Sequence, residues 1–382
     1  MSNLLPLDSQ TLPAGVKSRF IDNVNGLRMH ILEAGDDHNR PLVILLHGFP
    51  ELAYTWRKVL IPLANQGYHV IAPDQRGCGR TITIDRNSDD DFTSFSMLNS
   101  CQDIITLLHR LNISKVKSII GRDLGAPIAA NLALIRPDIF ESLIMTSAPY
   151  LGPPSIDTPS KAPVIEALKQ LGKKHYRWYF SSVEQANLDM LNAEQGLKEF
   201  FRGYLYLKGA QHPQNKNIFQ LKELTAVELC KLPEYYIMPL DRTMPQIVLS
   251  NIPDTAILQQ EMSSWLTEDE LQVYTDEYQR SSFKGGLQYY KCFASDYDQN
   301  QLKVFSGMKI KCPAMFISGA NDWGMQLEPD FMKKMGAKTV YEDWRGFQLI
   351  DNSGHWLSEE QPEELTKTIL RFLDMLPIKE LL

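Results

Sequence analysis

A chain of 382 residues with 43% hydrophobic and 22% charged side chains can bury a large core, either as one big domain or as one domain carrying an insertion. Its net charge of -7 opposes attraction to phosphate backbones, so nucleic acid is not an expected partner. Five scattered cysteines, Cys78, Cys101, Cys230, Cys292 and Cys312, contain no CxxC spacing, which argues against a disulfide framework or a zinc site and fits a reducing, cytoplasmic compartment. With no run of about 18 apolar residues and no basic-then-apolar leader, neither a membrane span nor a secretion signal is expected.

In chain order, residues 16–34 read as two strands around Asn25-Gly26, a pair suited to the positive φ angles of a tight hairpin. Apolar, β-rich runs at 42–46, 69–72, 116–120, 143–146, 314–318 and 339–341 predict further strands. The acidic stretch 85–91 reads as a solvated loop, because like charges repel when buried. After Ser96, the spacing of Met97, Cys101, Ile104, Ile105, Leu108 and Leu111 predicts a helix. After Gly125, the small residues Ala126, Ala129, Ala130 and Ala133 predict another that packs closely on a sheet. Strands that read as solid apolar runs and alternate with helices imply a mainly parallel sheet covered on both faces, with ligands at the carboxyl ends of its strands.

That rhythm stops after Ala148-Pro149-Tyr150-Leu151-Gly152-Pro153-Pro154. Residues 151–295 are rich in aromatics and helix formers and predict a mostly helical lid inserted between a first core segment, 1–150, and a second, 296–382. Within the lid, Thr267 is the expected N-cap of a helix running to about Arg280.

Gly121-Arg122-Asp123-Leu124-Gly125 joins a predicted strand to a predicted helix. A G-x-D-x-G turn of this kind lifts its central side chain above the strand ends, which makes Asp123 the candidate nucleophile. His47-Gly48-Phe49-Pro50 follows another strand, where the amide of Phe49 can join that of Leu124 as an oxyanion hole. Asp322, in Gly319-Ala320-Asn321-Asp322, and His355, in Ser353-Gly354-His355-Trp356, complete the order nucleophile, acid, histidine. A carboxylate attacks tetrahedral carbon to form an alkyl ester, so an epoxide or an alkyl halide is the natural substrate. Asp74-Gln75-Arg76-Gly77-Cys78-Gly79 reads as a shaped turn, with Arg76 satisfying buried carbonyls or carboxylates.

Together these motifs make the chain resemble the α/β-hydrolases, and within them the epoxide hydrolases, over nearly its whole length. The resemblance implies an α/β-hydrolase fold, no metal or organic cofactor, and ring-opening tyrosines in the lid. Phe283-Lys284-Gly285-Gly286-Leu287-Gln288-Tyr289-Tyr290 points to Tyr290, and Arg177-Trp178-Tyr179-Phe180 to Tyr179, with Tyr289 the nearest rival. It implies attack by Asp123, then hydrolysis of the ester by water that His355 activates with Asp322 behind it. His47, Pro50, Trp323, Trp356 and Tyr289 are expected to line the substrate site. An aromatic lid suits a bulky apolar epoxide.

The chain departs from the family at Arg122 and Leu124, where His and Trp are common. Arg122 needs a partner beneath the turn or acts on Asp123 by its charge. Leu124 offers no donor to a halide, which counts against a haloalkane dehalogenase. A specialised epoxide-opening or cyclising enzyme and a non-catalytic receptor are the remaining rivals.

Overall fold

Two antiparallel strands, β1 (Lys17–Val24) and β2 (Leu27–Ala34), turn at Asn25 and Gly26, whose φ angles of 47° and 78° are those a tight hairpin needs. They belong to a computed structural model that describes residues 4–37, 39–84, 91–157 and 162–376. The remaining strands are β3 (Leu42–Leu46), β4 (His69–Pro73), β5 (Ile82–Thr83), β6 (Ser118–Arg122), β7 (Leu143–Thr146), β8 (Lys173–His175), β9 (Ile237–Pro239), β10 (Ala314–Gly319) and β11 (Trp344–Ile350). The main sheet runs β1-β2-β4-β3-β6-β7-β10-β11, with β5 paired to β2. It is parallel from β4 through β11 and antiparallel at the β1–β2 and β2–β4 edge.

Every residue of β3, β4, β6 and β7 is buried, because the sheet is covered on both faces and leaves its central strands no solvent side. The helix Met97–Arg110 is capped by Ser96, whose side chain accepts from the Asn99 amide. Ala126, Ala129, Ala130 and Ala133 of the helix Gly125–Ile135 are all sealed from solvent, so their small side chains seat this helix directly on the sheet. One apolar core lies on each face, and the larger continues into the residues between β7 and β10.

Among the described residues this segment adds no strand to the main sheet; it forms a series of helices and the separate antiparallel pair β8–β9. Thr267 and Glu270 cap the helix Glu268–Ser281 reciprocally, as the sequence suggested. Buried charges fasten this helix to the sheet layer. Arg57 reaches Glu359 at 2.5 Å and Glu270 at 2.7 Å, and Arg80 reaches Glu277 at 2.6 Å. Removing one member of such a pair leaves an uncompensated buried charge, a loss of about 3–5 kcal/mol.

The strand expected at 339–341 is a correction. Tyr341 makes only an isolated bridge to Ile310, and the last strand is β11, whose residues alternate between partly covered and exposed. As an edge strand it needs no solid apolar run, so Arg345, Gly346 and Gln348 hid it. Of the acidic stretch, 85–90 lies outside the described residues, while Asp91 accepts from the Thr93 amide. Among the described residues no helix is long and apolar enough to cross a membrane.

From β3 the chain steps to β4 on one side and later returns to β6 on the other. β3 therefore stands where the strand order reverses, and it is at the carboxyl ends of strands at such a reversal that α/β sheets bind their ligands.

Candidate active site

Asp123 follows β6 with φ at +48°, a left-handed conformation that costs an ordinary residue about 1 kcal/mol or more and persists only where the surroundings enforce it. The glycines on either side explain how. A Cβ at Gly121 would lie 2.2 Å from the Gly125 carbonyl oxygen, and one at Gly125 would lie 2.7 Å from the carbonyl oxygens of Leu46 and His47. Only glycine fits either position, so the helix closes onto the strand and Asp123 projects above it. The Phe49 amide then donates to Asp123 Oδ1 at 3.1 Å, while the Leu124 amide donates to no described residue. Of the two backbone donors expected to act together, Phe49 is on the Asp123 carboxylate and Leu124 is the next residue along the turn.

His355 Nε2 lies 3.7 Å from Asp123 Oδ2, and its Nδ1 lies 3.0 Å and 3.2 Å from the Asp322 oxygens. Asp322 in turn accepts from the Gly324 amide at 2.7 Å. With Nδ1–H donated to Asp322, Nε2 carries the free lone pair, and it has no hydrogen-bond partner among the described residues. Burial holds the imidazole below its usual pKa despite the pull of Asp322, which leaves it a neutral base near pH 7. Burial also disfavours charge on Asp123, but His355, Lys208, the Phe49 amide and Arg122 outweigh it and hold the carboxyl below its usual range. Asp322 is held low in the same way, with His355 and the Gly324 amide opposing burial.

Arg122 is fully buried, with Nε 3.0 Å from Glu51 Oε1. One of its terminal nitrogens donates to the His355 carbonyl oxygen, and its guanidinium stacks 5.3 Å from the Trp356 ring. The residue is ion-paired beneath the turn and also ties β6 to the loop that carries His355. Burial pushes Glu51 up to about 7 against the charge of Arg122. Leu124 is half-buried and packs between the two cores.

The expected substrate-lining residues divide. His47 is sealed from solvent; its Nδ1 donates to the Gly48 carbonyl oxygen at 2.7 Å and its Nε2 accepts from the Gln75 amide at 3.0 Å. Both ring nitrogens are thus spent on holding the loop. Pro50 is buried. The indole nitrogens of Trp323 and Trp356 donate to the carbonyl oxygens of Gln214 and Leu205, and Trp356 packs its ring 4.8 Å from that of His355. Tyr289 donates to the Arg76 carbonyl oxygen at 3.2 Å and packs on Phe95, away from Asp123. Arg76 itself pairs with Asp103 and bonds the Asn25 carbonyl oxygen.

Of the lid tyrosines, Tyr290 lies over the site: its ring meets Phe49 at 5.5 Å and Phe180 at 5.1 Å. Burial, then the charge of Asp123, pushes its phenol well above the usual range. Tyr179 is not brought there. Its hydroxyl donates to Asp189 at 2.7 Å, and Lys174 lies over its ring. Three residues earlier, Tyr176 packs 6.1 Å from Tyr290, and burial and Asp123 raise its pKa as well. Tyr176 and the buried cation Lys208 are the two residues that sequence reasoning missed. Two surface clefts of about 520 and 550 Å³ lie beside Tyr54 and Lys284 and contain none of these residues.

The family described as alpha/beta hydrolase fold matches residues 41–362. An epoxide hydrolase of Caballeronia sordidicola is 29% identical over 95% of this chain and 95% of its own. Epoxide hydrolase B of Mycobacterium tuberculosis is 28% identical over 92% and 96%. Among solved structures, an epoxide hydrolase from an endophytic Streptomyces superposes with a TM-score of 0.74 at 26% identity, covering 95% of this chain and 96% of that one. Potato (Solanum tuberosum) epoxide hydrolase I superposes at 0.73 and 26% identity, covering 94% and 99%.

Proposed function

This chain belongs to the α/β-hydrolase fold family, and from that premise we propose that it opens an epoxide to a vicinal diol through an ester on Asp123. The observation that carries this reading is a carboxylate, not a hydroxyl, at the turn after β6, with one oxygen on the Phe49 amide and the other 3.7 Å from His355 Nε2. Full-length similarity to proteins named epoxide hydrolase supports it.

Asp123 attacks a ring carbon and the C–O bond of the epoxide breaks, so charge moves from the carboxylate to the ring oxygen. Tyr290 and Tyr176 supply the proton, a contribution of about 10² to 10⁴ in rate. We assign the second donor to Tyr176 and not Tyr179, because the Tyr179 hydroxyl is already given to Asp189. Water then loses a proton to His355 Nε2 and adds to the ester carbonyl of Asp123, whose oxyanion the Phe49 and Leu124 amides receive. The intermediate collapses, its bond to the alkyl oxygen breaks, and the leaving alkoxide takes the proton back from His355 to complete the diol. The acid proton left on Asp123 restores the tyrosine. Asp322 orients His355 and stabilises the imidazolium. Arg122 and Glu51 position the two loops against each other.

A halide is commonly held by side-chain donors, and here both neighbouring indoles are bonded to backbone oxygens while the Leu124 side chain has no donor to give. The test is direct: incubation with trans-stilbene oxide should yield hydrobenzoin, and incubation with a bromoalkane should release no bromide. Bromide without diol would overturn the reading.

A further inference from the structure

Lys208 is a buried charge that helps keep Asp123 ionised but to which the scheme gives no contact with the substrate. It ends the helix Leu197–Lys208, and its carbonyl oxygen accepts the His355 amide at 2.8 Å, which fixes the root of the side chain beside the histidine. Nζ extends among aromatic rings, 5.0 Å from the centroid of Tyr236, 5.2 Å from Tyr204, 5.6 Å from Tyr176, 5.8 Å from Trp356 and 6.0 Å from Tyr235. Aromatic faces hold an ammonium but do not neutralise it.

The contrast with the other buried cations is the telling point. Arg57 is paired with Glu359, Arg76 with Asp103, Arg122 with Glu51, and Arg202 with Glu199 and Glu268. Lys208 is 5% exposed, yet among the described residues no carboxylate pairs with it and no oxygen accepts from it. An ammonium taken from water without an acceptor is costly to keep. A second cation lies nearby: Arg177 is exposed, donates from Nε to the Tyr176 hydroxyl at 3.2 Å and has no ion pair among the described residues. Tyr176 thus meets two cations, Arg177 at its hydroxyl and the buried Lys208 at its ring.

We propose that Lys208 is a specificity-determining residue whose ammonium binds a carboxylate of the substrate, so that the substrate is an epoxy acid with an apolar body and one anionic head. This deepens the epoxide-opening reading and rests on it. A single ammonium among aromatic walls suits a monoanion; a dianionic phosphate would remain half uncompensated. Nζ faces the ring of Tyr176, which packs on Tyr290, and the ring of Trp356, which packs on His355, so it borders the space that a substrate seated on Asp123 would fill. Burial pushes its pKa down to about 8 against the pull of Asp123, Asp322 and Glu51, with Arg122 adding to the fall, and a bound carboxylate would raise it again.

The test compares acids with their primary amides, which match in shape and differ in charge. Calorimetry of the unreactive pair decanoate and decanamide should show the wild-type protein binding the acid about ten- to a hundredfold more tightly, the range of a charge-assisted bond. Lys208→Met should bring the ratio to about one, and Lys208→Arg should keep part of it. The ratio of kcat/KM for 9,10-epoxydecanoate over its amide should follow the same pattern. Equal binding of acid and amide by the wild-type protein, or an undiminished preference in Lys208→Met, would overturn the proposal. Carboxylate preference without diol formation would sink the hydrolase reading alone; diol formation without any preference would sink the lysine assignment alone.

Discussion

Nε2 of His355 stands 3.7 Å from Oδ2 of Asp123 with no other partner among the described residues, while Asp322 holds the opposite ring nitrogen. That arrangement suits the two-stage reaction proposed above, in which the carboxylate would act first and the imidazole on the ester it becomes.

Asp123→Asn should fold normally, because asparagine tolerates the left-handed backbone at this position and its side-chain oxygen can still accept from Phe49. Stability should change by less than about 1 kcal/mol, while epoxide opening falls by about 10⁴ or more. A melting curve and a diol assay on one preparation check both. Near-normal turnover would remove Asp123 from the nucleophile's place.

His355→Gln keeps the first stage and loses the base for the second. Mass spectrometry after mixing with an epoxide should find a substrate-sized adduct on the peptide that contains Asp123. In the unaltered enzyme, burial depresses the pKa of His355, so the base stays neutral below the ordinary histidine range. The rate of ester hydrolysis should accordingly hold as pH falls through 6.5 and drop only in more acidic buffer. A midpoint at or above 6.5 in single-turnover measurements would contradict this.

Tyr290→Phe and Tyr176→Phe should each slow alkylation by about ten- to a hundredfold, and the double variant should be nearly inactive, since each phenol partly covers for the other. Tyr179→Phe should leave alkylation close to normal and cost about 1 kcal/mol of stability through the lost bond to Asp189. A Tyr179 variant slower than the Tyr176 variant would reverse the assignment.

These tyrosines mark where the sequence stopped being legible. The turns around Asp123, His355 and Asp322 could be read because glycines and short motifs fix them locally. Which face of the short helix Tyr176–Ser181 looks inward is decided by distant partners, Asp189 for one tyrosine and Tyr290 for the other. Tyr289 and Tyr290 adjoin in sequence yet part toward different cores. His47 reads as a pocket residue until Gln75 and Gly48 are found on its ring. Lys208 carries no motif that would single it out in the sequence; rings from separate segments, Tyr176, Tyr235, Tyr236 and Trp356 among them, close around it only in the fold.

Arg122→Met should expose the cost of Glu51. In the native protein Glu51 has a pKa raised to about 7, above its unfolded value, so it favours folding less as pH climbs from about 4.5 to 7. Without Arg122 the pKa rises further, and the penalty extends to higher pH. Loss of stability in the variant should thus be larger at pH 8 than at pH 6, reaching about 3–5 kcal/mol. Chemical denaturation at the two pH values checks it; an equal loss at both would detach Glu51 from the effect.

The origin of the oxygen in the diol tests the covalent route most directly. With enzyme in excess over epoxide in ¹⁸O-water, attack by Asp123 must pass an unlabelled carboxylate oxygen to the diol in the first turnover. Water entering at the ester carbonyl leaves ¹⁸O in the Asp123 side chain, and mass spectrometry of the diol and of the Asp123 peptide reads both. The account predicts an unlabelled diol and a labelled peptide; a diol carrying ¹⁸O from the first turnover, with Asp123 unlabelled, would contradict it.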